Sequence, residues 1–180
     1  MTAGNHKIIF TGGPGFGKSS VIEQFRLEGF HCIPDAPRQV LEEQSKLKSG
    51  ILPQGNFERF AMLVLERMVR QYLSAGPGIC LFDRGIPDIM AYLDYAGLKV
   101  PEAVAGQVNK HSFHSTIFFF PPWEEIYKKD RVRYETFEQA RSIGDCIKHT
   151  YKNLGYSILE VPKNNIRERV KYVERHLPLI

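Results

Sequence analysis

The residues Gly12-Gly13-Pro14-Gly15-Phe16-Gly17-Lys18-Ser19 have the types and order of a polyphosphate cradle. Glycines at 12, 15 and 17 admit backbone angles that a side chain would forbid, so successive N–H groups can turn toward one anion. Lys18 supplies a point charge for the outer phosphates, and Ser19 supplies a hydroxyl for a magnesium ion. With Gly13, Phe16 and Ser20 they form the expected nucleotide-binding set. The flanks decide between this reading and a plain glycine-rich turn. The apolar run Lys7-Ile8-Ile9-Phe10-Thr11 precedes the loop as a buried strand. Residues 19–27 follow it as a helix, apolar at 21, 22 and 25 with no breaker before Gly29.

A second group of charged residues could complete a reaction site. Asp83 closes the apolar run Ile79-Cys80-Leu81-Phe82, where a carboxylate can join a magnesium shell, accept a proton from an attacking hydroxyl, or merely cap the next turn. Arg84 can reach an acceptor's anionic or hydroxylated group, or form a surface ion pair. Asp88 precedes Tyr92 by one helical turn, which puts both toward one cleft, while its first-turn position also suits the helix dipole. Asp35 and Arg38 stand at the tip of a short strand, the end where open α/β sheets hold ligands; Asp35 can equally be a cap before Pro37. Asp35, Arg38, Arg84 and Asp88 form the expected substrate set. The stretch Lys128 to Arg133 carries four cations in six residues. Such density is ordinarily a solvated face, but arginines on a loop beside a triphosphate also meet the charge that spreads during phosphoryl transfer. Arg131 and Arg133 therefore join Lys18 and Asp83 as catalytic candidates, within a lid-like segment of about 121–134.

The elements that must carry these residues alternate along the chain. Helices are expected over Arg38 to Lys48, Asn56 to Ala75, Pro87 to about Tyr95, Pro101 to Lys110, about Tyr134 to Asn153 and Asn165 to His176. Strands fall at 30–33, 79–82, 116–120 and 156–161, besides the first. A run apolar on both faces, such as 79–82, belongs to a parallel sheet. Five strand–helix alternations with no repeat or linker predict one α/β domain over residues 1–180: a five-stranded parallel sheet between helical layers.

Composition narrows the function classes. The chain has 180 residues, 43% hydrophobic, with 24 basic against 20 acidic side chains and a net charge of +4. That excess suits small anionic ligands and is too slight to argue for nucleic acid. Three scattered cysteines without a CxxC pair support neither a disulfide framework nor zinc, and six histidines lack ligand spacing. No run approaches the ~20 apolar residues of a membrane span. The expectation is a cytoplasmic protein without nucleic-acid or membrane partners.

Taken together, Gly12–Ser19, Asp35-Ala36-Pro37-Arg38, Asp83-Arg84-Gly85 with Pro87-Asp88 and Tyr92, Asp130-Arg131 with Glu135, and Gly155-Tyr156 through Val161-Pro162 resemble the predicted ATPases of the AAA-like P-loop group. That group is related to the nicotinamide riboside kinase domain of NAD-biosynthesis regulators and, more distantly, to deoxynucleoside and thymidylate kinases. The resemblance implies a three-layer P-loop NTPase of nucleoside- or nucleotide-kinase-like fold. It also implies Lys18 and Ser19 on phosphates and Mg2+, Asp83 as metal-linked or base carboxylate, the Arg131 region as a lid, and Pro162-Lys163-Asn164 near adenine. Members often carry glutamate where this chain has Asp35. The expected activity is transfer of the ATP γ-phosphoryl group to a small hydroxyl-bearing acceptor. An ATPase or nucleotide-dependent switch without an acceptor is the alternative, and the absence of an Asn-Lys-x-Asp order favours ATP over GTP.

Overall fold

The protein is represented by a computed structural model that describes residues 6–128 and 135–178. Five strands, β1 (His6–Thr11), β2 (His31–Ile33), β3 (Ile79–Asp83), β4 (Thr116–Phe119) and β5 (Ser157–Glu160), form one parallel sheet in the order β2-β3-β1-β4-β5. From β1 the chain crosses to β2 and β3 on one side, then passes over β1 to β4 and β5 on the other. The reversal makes the carboxyl end of β1 the switch point, and the Gly12–Ser19 loop leaves from there.

Among the described residues seven α-helices surround the sheet: α1 (Lys18–Leu27), α2 (Ala36–Leu47), α3 (Phe57–Ser74), α4 (Pro87–Tyr95), α5 (Glu102–Lys110), α6 (Phe137–Asn153) and α7 (Ile166–Glu174). The pleat of β1 sorts its side chains between the layers. Ile8 and Phe10 pack on Val21, Ile22 and Phe25 of α1 and on Val170 and Val173 of α7. Ile9 faces the other way, onto Ala91 of α4 and Ile143, Ile147 and Tyr151 of α6. A further apolar cluster joins α2, α3, α4 and Val104 of α5, through Val40, Phe60, Val64, Met68, Ile86 and Leu93.

Two helix starts differ from the sequence expectation by more than a single residue. Helix α2 begins at Ala36 instead of Arg38, because the Asp35 carboxylate accepts the Arg38 N–H at 3.0 Å and Pro37 needs no hydrogen bond in a first turn. Helix α6 begins at Phe137 instead of about Tyr134. Thr136 and Gln139 form a reciprocal capping box: the Gln139 N–H donates to Thr136 Oγ1 at 3.2 Å and the Thr136 N–H to Gln139 Oε1 at 2.8 Å. Among the described residues between β4 and α6 is a 3-10 turn, Glu124–Ile126.

Candidate functional site

The loop Gly12–Gly17 is held from beneath by contacts that only glycine permits. Gly12 has φ +134°, and a Cβ there would lie 2.4 Å from the Phe120 carbonyl oxygen. The Phe16 side chain is fully buried against Gly13, Gly144 and Phe137, so of this expected nucleotide-binding residue only the backbone is available to a ligand. Ser19 and Ser20, opening α1, are exposed.

Lys18 is 4% exposed, and its Nζ donates to the carbonyls of Gly12 at 3.0 Å and Gly13 at 2.8 Å. Burial, reinforced by the Arg84 charge, lowers its pKa from 10.5 to about 7, against the opposing pull of Asp83, Asp35 and Asp88. An ammonium has three donors, so one is left beyond the loop's own carbonyls.

Asp83 ends β3 beside α1, and the Ser19 hydroxyl donates to its Oδ2 at 3.0 Å. Burial, then repulsion from Asp35, raises the Asp83 pKa to about 6, while Lys18, Arg84 and Ser19 pull it down. Its Oδ1 is buried without a hydrogen-bond partner among the described residues. A hydroxyl and a carboxylate with a free buried oxygen are the donors a magnesium ion takes when phosphates and water complete its six oxygens, so these residues fit Mg2+. No group of three or more His, Cys, Asp or Glu among the described residues could hold a metal by itself.

Arg84 is 6% exposed and has φ +76°, a left-handed conformation unusual for a side-chain-bearing residue, costing on the order of 1 kcal/mol. The turn swings its guanidinium back beneath the phosphate loop. Nη1 donates to the Gly12 carbonyl and to Asp88 Oδ1, each at 3.2 Å, while Nε lies 3.5 Å from Asp35 Oδ2. Its Cζ stands 5.4 Å from the Tyr92 ring centre. Asp35 thus caps α2 with Oδ1, as the cap account expects, and faces Arg84 with Oδ2.

Asp88 is 1% exposed and fully engaged. Oδ1 accepts from Thr11 Oγ1 at 2.5 Å and from Arg84; Oδ2 accepts from the Gly85 N–H at 3.0 Å and the Tyr151 hydroxyl at 2.6 Å. This carboxylate is a junction of β1, α4, α6 and Arg84. The expected pairing with Tyr92 is one of proximity: both line the same cavity, with Arg84 between them. Arg38, exposed on α2, donates from Nε to Glu42 at 3.2 Å. Arg131 and Arg133, and most of the expected lid's arginine segment, lie outside the described residues.

Lys18, Ser19, Asp35, Arg38, Arg84, Asp88 and Tyr92 line one cavity of about 740 Å³, and Asp83 lies behind Ser19 on an adjoining smaller one. Gly15 to Ser20 line one part, Asp35, Arg38, Arg84 and Asp88 another, and beyond them Leu41, Phe57, Phe60, Val64 and Met68 make an apolar wall. Of the segment expected near a base, Asn164 lines it too.

The sequence model of a family described as AAA domain matches residues 7–169. The chain belongs to that AAA domain family. Among solved structures, deoxyadenosine kinase from M. mycoides with dCMP and dCDP bound superimposes with a TM-score of 0.70 at 12% identity, over 94% of this chain and 97% of that one. Thymidylate kinase from Candida albicans does so with a TM-score of 0.63 at 17% identity, over 98% of this chain and 92% of that one. This AAA domain therefore has a nucleoside- and nucleotide-kinase-like P-loop fold. No curated protein sequence matches it significantly.

Sequence reasoning did not single out Arg169, which lines the same cavity of this AAA domain from α7. The signal was present: the apolar positions of α7 include Val170 and Val173, and an arginine in the buried stripe of an amphipathic helix has to be accounted for. Tyr151, completely buried on α6 and bonded to Asp88, was likewise not singled out.

Proposed function

We propose that the protein is a Mg2+-dependent phosphotransferase that moves the γ-phosphoryl group of ATP to a small hydroxyl-bearing acceptor, nucleoside- or nucleotide-like. The observation that carries this reading is the continuity of the cavity: the phosphate loop and a second, partly apolar compartment with Asp35, Arg38 and Arg84 at its throat share one space. A site for nucleotide alone has no use for that compartment.

In this reading the Gly12–Ser19 backbone and Lys18 hold the donor's phosphates, in line with the acceptor oxygen. Ser19 and Asp83 would hold Mg2+, which supplies charge neutralisation on the phosphate oxygens. Asp35, half-buried and facing Arg84, accepts the hydrogen bond of the acceptor's hydroxyl, while Arg84 and Arg38 orient its polar end. Asp88 serves by fixing Arg84 and does not touch the acceptor. Arg131 and Arg133 would supply positive charge to the transferring group.

The test is a screen of nucleosides, nucleotides and vitamin-like alcohols for acceptor-dependent ATP consumption, with phosphorylated product identified by mass spectrometry. One accelerated acceptor supports transfer. If ATP binds and no acceptor raises its loss above the rate with water, transfer fails and the ATPase or switch reading takes its place.

A further inference from the structure

Arg169 is a buried cation without a counter-charge among the described residues. It is 3% exposed, and its Nη2 donates to the Phe16 carbonyl at 3.0 Å. Nη1 sits so close to Gly17 that a Cβ on that glycine would be 2.5 Å away. The guanidinium carbon lies 4.8 Å from the Phe120 ring centre and 5.4 Å from that of Trp123. Nε is buried with no hydrogen-bond partner, and among the described residues no carboxylate forms an ion pair with it. Burial alone draws its pKa down from 12.5 to about 10.

Ring faces and one carbonyl offset only part of the cost of taking a guanidinium out of water. The other buried cations of the site are compensated: Arg84 has Asp35 and Asp88, and Lys18 has the field of three aspartates. Arg169 instead has the residues immediately before Lys18 and a place on the cavity wall with Trp123, Ile126 and Asn164. A simple packing role for α7 would be served better by an aliphatic residue, because Val170 and Val173 already anchor the helix.

We infer that Arg169 is a binding residue for the donor nucleotide, its counter-charge being the polyphosphate held in the Gly12–Ser19 loop. The inference rests on the nucleotide-binding half of the proposed function. It makes α7 part of the site through one side chain, Arg169, 153 residues from Phe16 in sequence.

Calorimetric titration of the whole protein with ADP and with inorganic tripolyphosphate tests it. Arg169→Met should weaken both ligands roughly tenfold to hundredfold, the range for losing a charge-assisted contact, and Arg169→Lys should recover part of the loss. Without ligand, Arg169→Met should melt no lower than the wild type, since it removes an uncompensated buried charge. Unchanged tripolyphosphate affinity in Arg169→Met overturns the inference and leaves the nucleotide site standing. A wild-type protein that binds neither ligand overturns both. Should Arg169→Met not fold, Arg169→Gln carries the same comparison against Arg169→Lys.

Discussion

Lys18 offers a sharp test, because its two roles pull stability and binding in opposite directions. Its pKa of about 7 in the folded chain against 10.5 for the ordinary side chain means that between those pH values the unfolded chain binds the extra proton. Stability is therefore lost as pH falls from 10.5 toward 7, and below 7 the loss is complete. At 1.36 kcal/mol per unit, the difference of about 3.5 units amounts to roughly 5 kcal/mol, comparable with the whole stability of a small domain. Lys18→Met removes the proton along with the charge. The variant should gain ~1–4 kcal/mol over the wild type at pH 6, the range found when buried charges give way to apolar groups. The gain should shrink steadily as pH rises above 7. Urea denaturation at half-unit intervals from pH 6 to 10 gives both curves, and calorimetry at pH 7 should show nucleotide affinity at least tenfold weaker in the variant. Two stability curves that run parallel across this window would refute the assignment of Lys18 as a desolvated cation held for a phosphate.

Asp83, raised from 3.8 to about 6, stabilises the fold below pH 3.8 and loses that contribution as pH rises through 6, whereas Mg2+ needs the carboxylate; Mg2+-dependent turnover should fall below about pH 6, and Asp83→Asn should remove that acid limb from the pH profile. Asp88→Ala leaves the donors of Thr11, Arg84, Gly85 and Tyr151 without their acceptor and should destabilise by ~3–5 kcal/mol in a denaturation series, while Tyr151→Phe should cost about 1 kcal/mol. Gly12→Ala, forced into φ +134° and against the Phe120 carbonyl, should abolish nucleotide binding or soluble expression; Gly29→Ala, which meets nothing within 4 Å, should cost only ~1–2 kcal/mol for its φ of +92°. Arg131→Ala should lower turnover by at least tenfold with ATP affinity nearly unchanged, and equal rates would remove Arg131 from the transfer step.

The parts of the protein that were legible in the sequence are the local ones. Strand β1, the glycine loop and α1 are written in consecutive residues, and the apolar run before Asp83 marks β3 with its carboxylate at the tip. The threefold and fourfold spacing from Phe57 to Leu73 describes α3 nearly to its ends. The Thr136–Gln139 capping box was equally local and sets the start of α6, so that boundary was open to sequence reasoning. The engagement of Asp88 was not legible, because two of its donors, Thr11 and Tyr151, lie 77 and 63 residues away. Nor could spacing show that Arg84 turns under the loop, since that depends on a left-handed backbone angle which no side-chain pattern announces. Arg169 stood in the buried stripe of α7, but what it touches is set by the sheet order, which places α7 beside α1.

The Gly12 carbonyl accepts from both Lys18 and Arg84, one cation on the glycine loop's helix and the other at the throat of the apolar compartment. A single peptide oxygen thus ties together the two buried cations of the cavity. Because the oxygen has two lone pairs, it serves both cations at once, and Lys18 keeps its third donor free. The link operates through one atom of backbone, so no substitution of a side chain at position 12 can delete it.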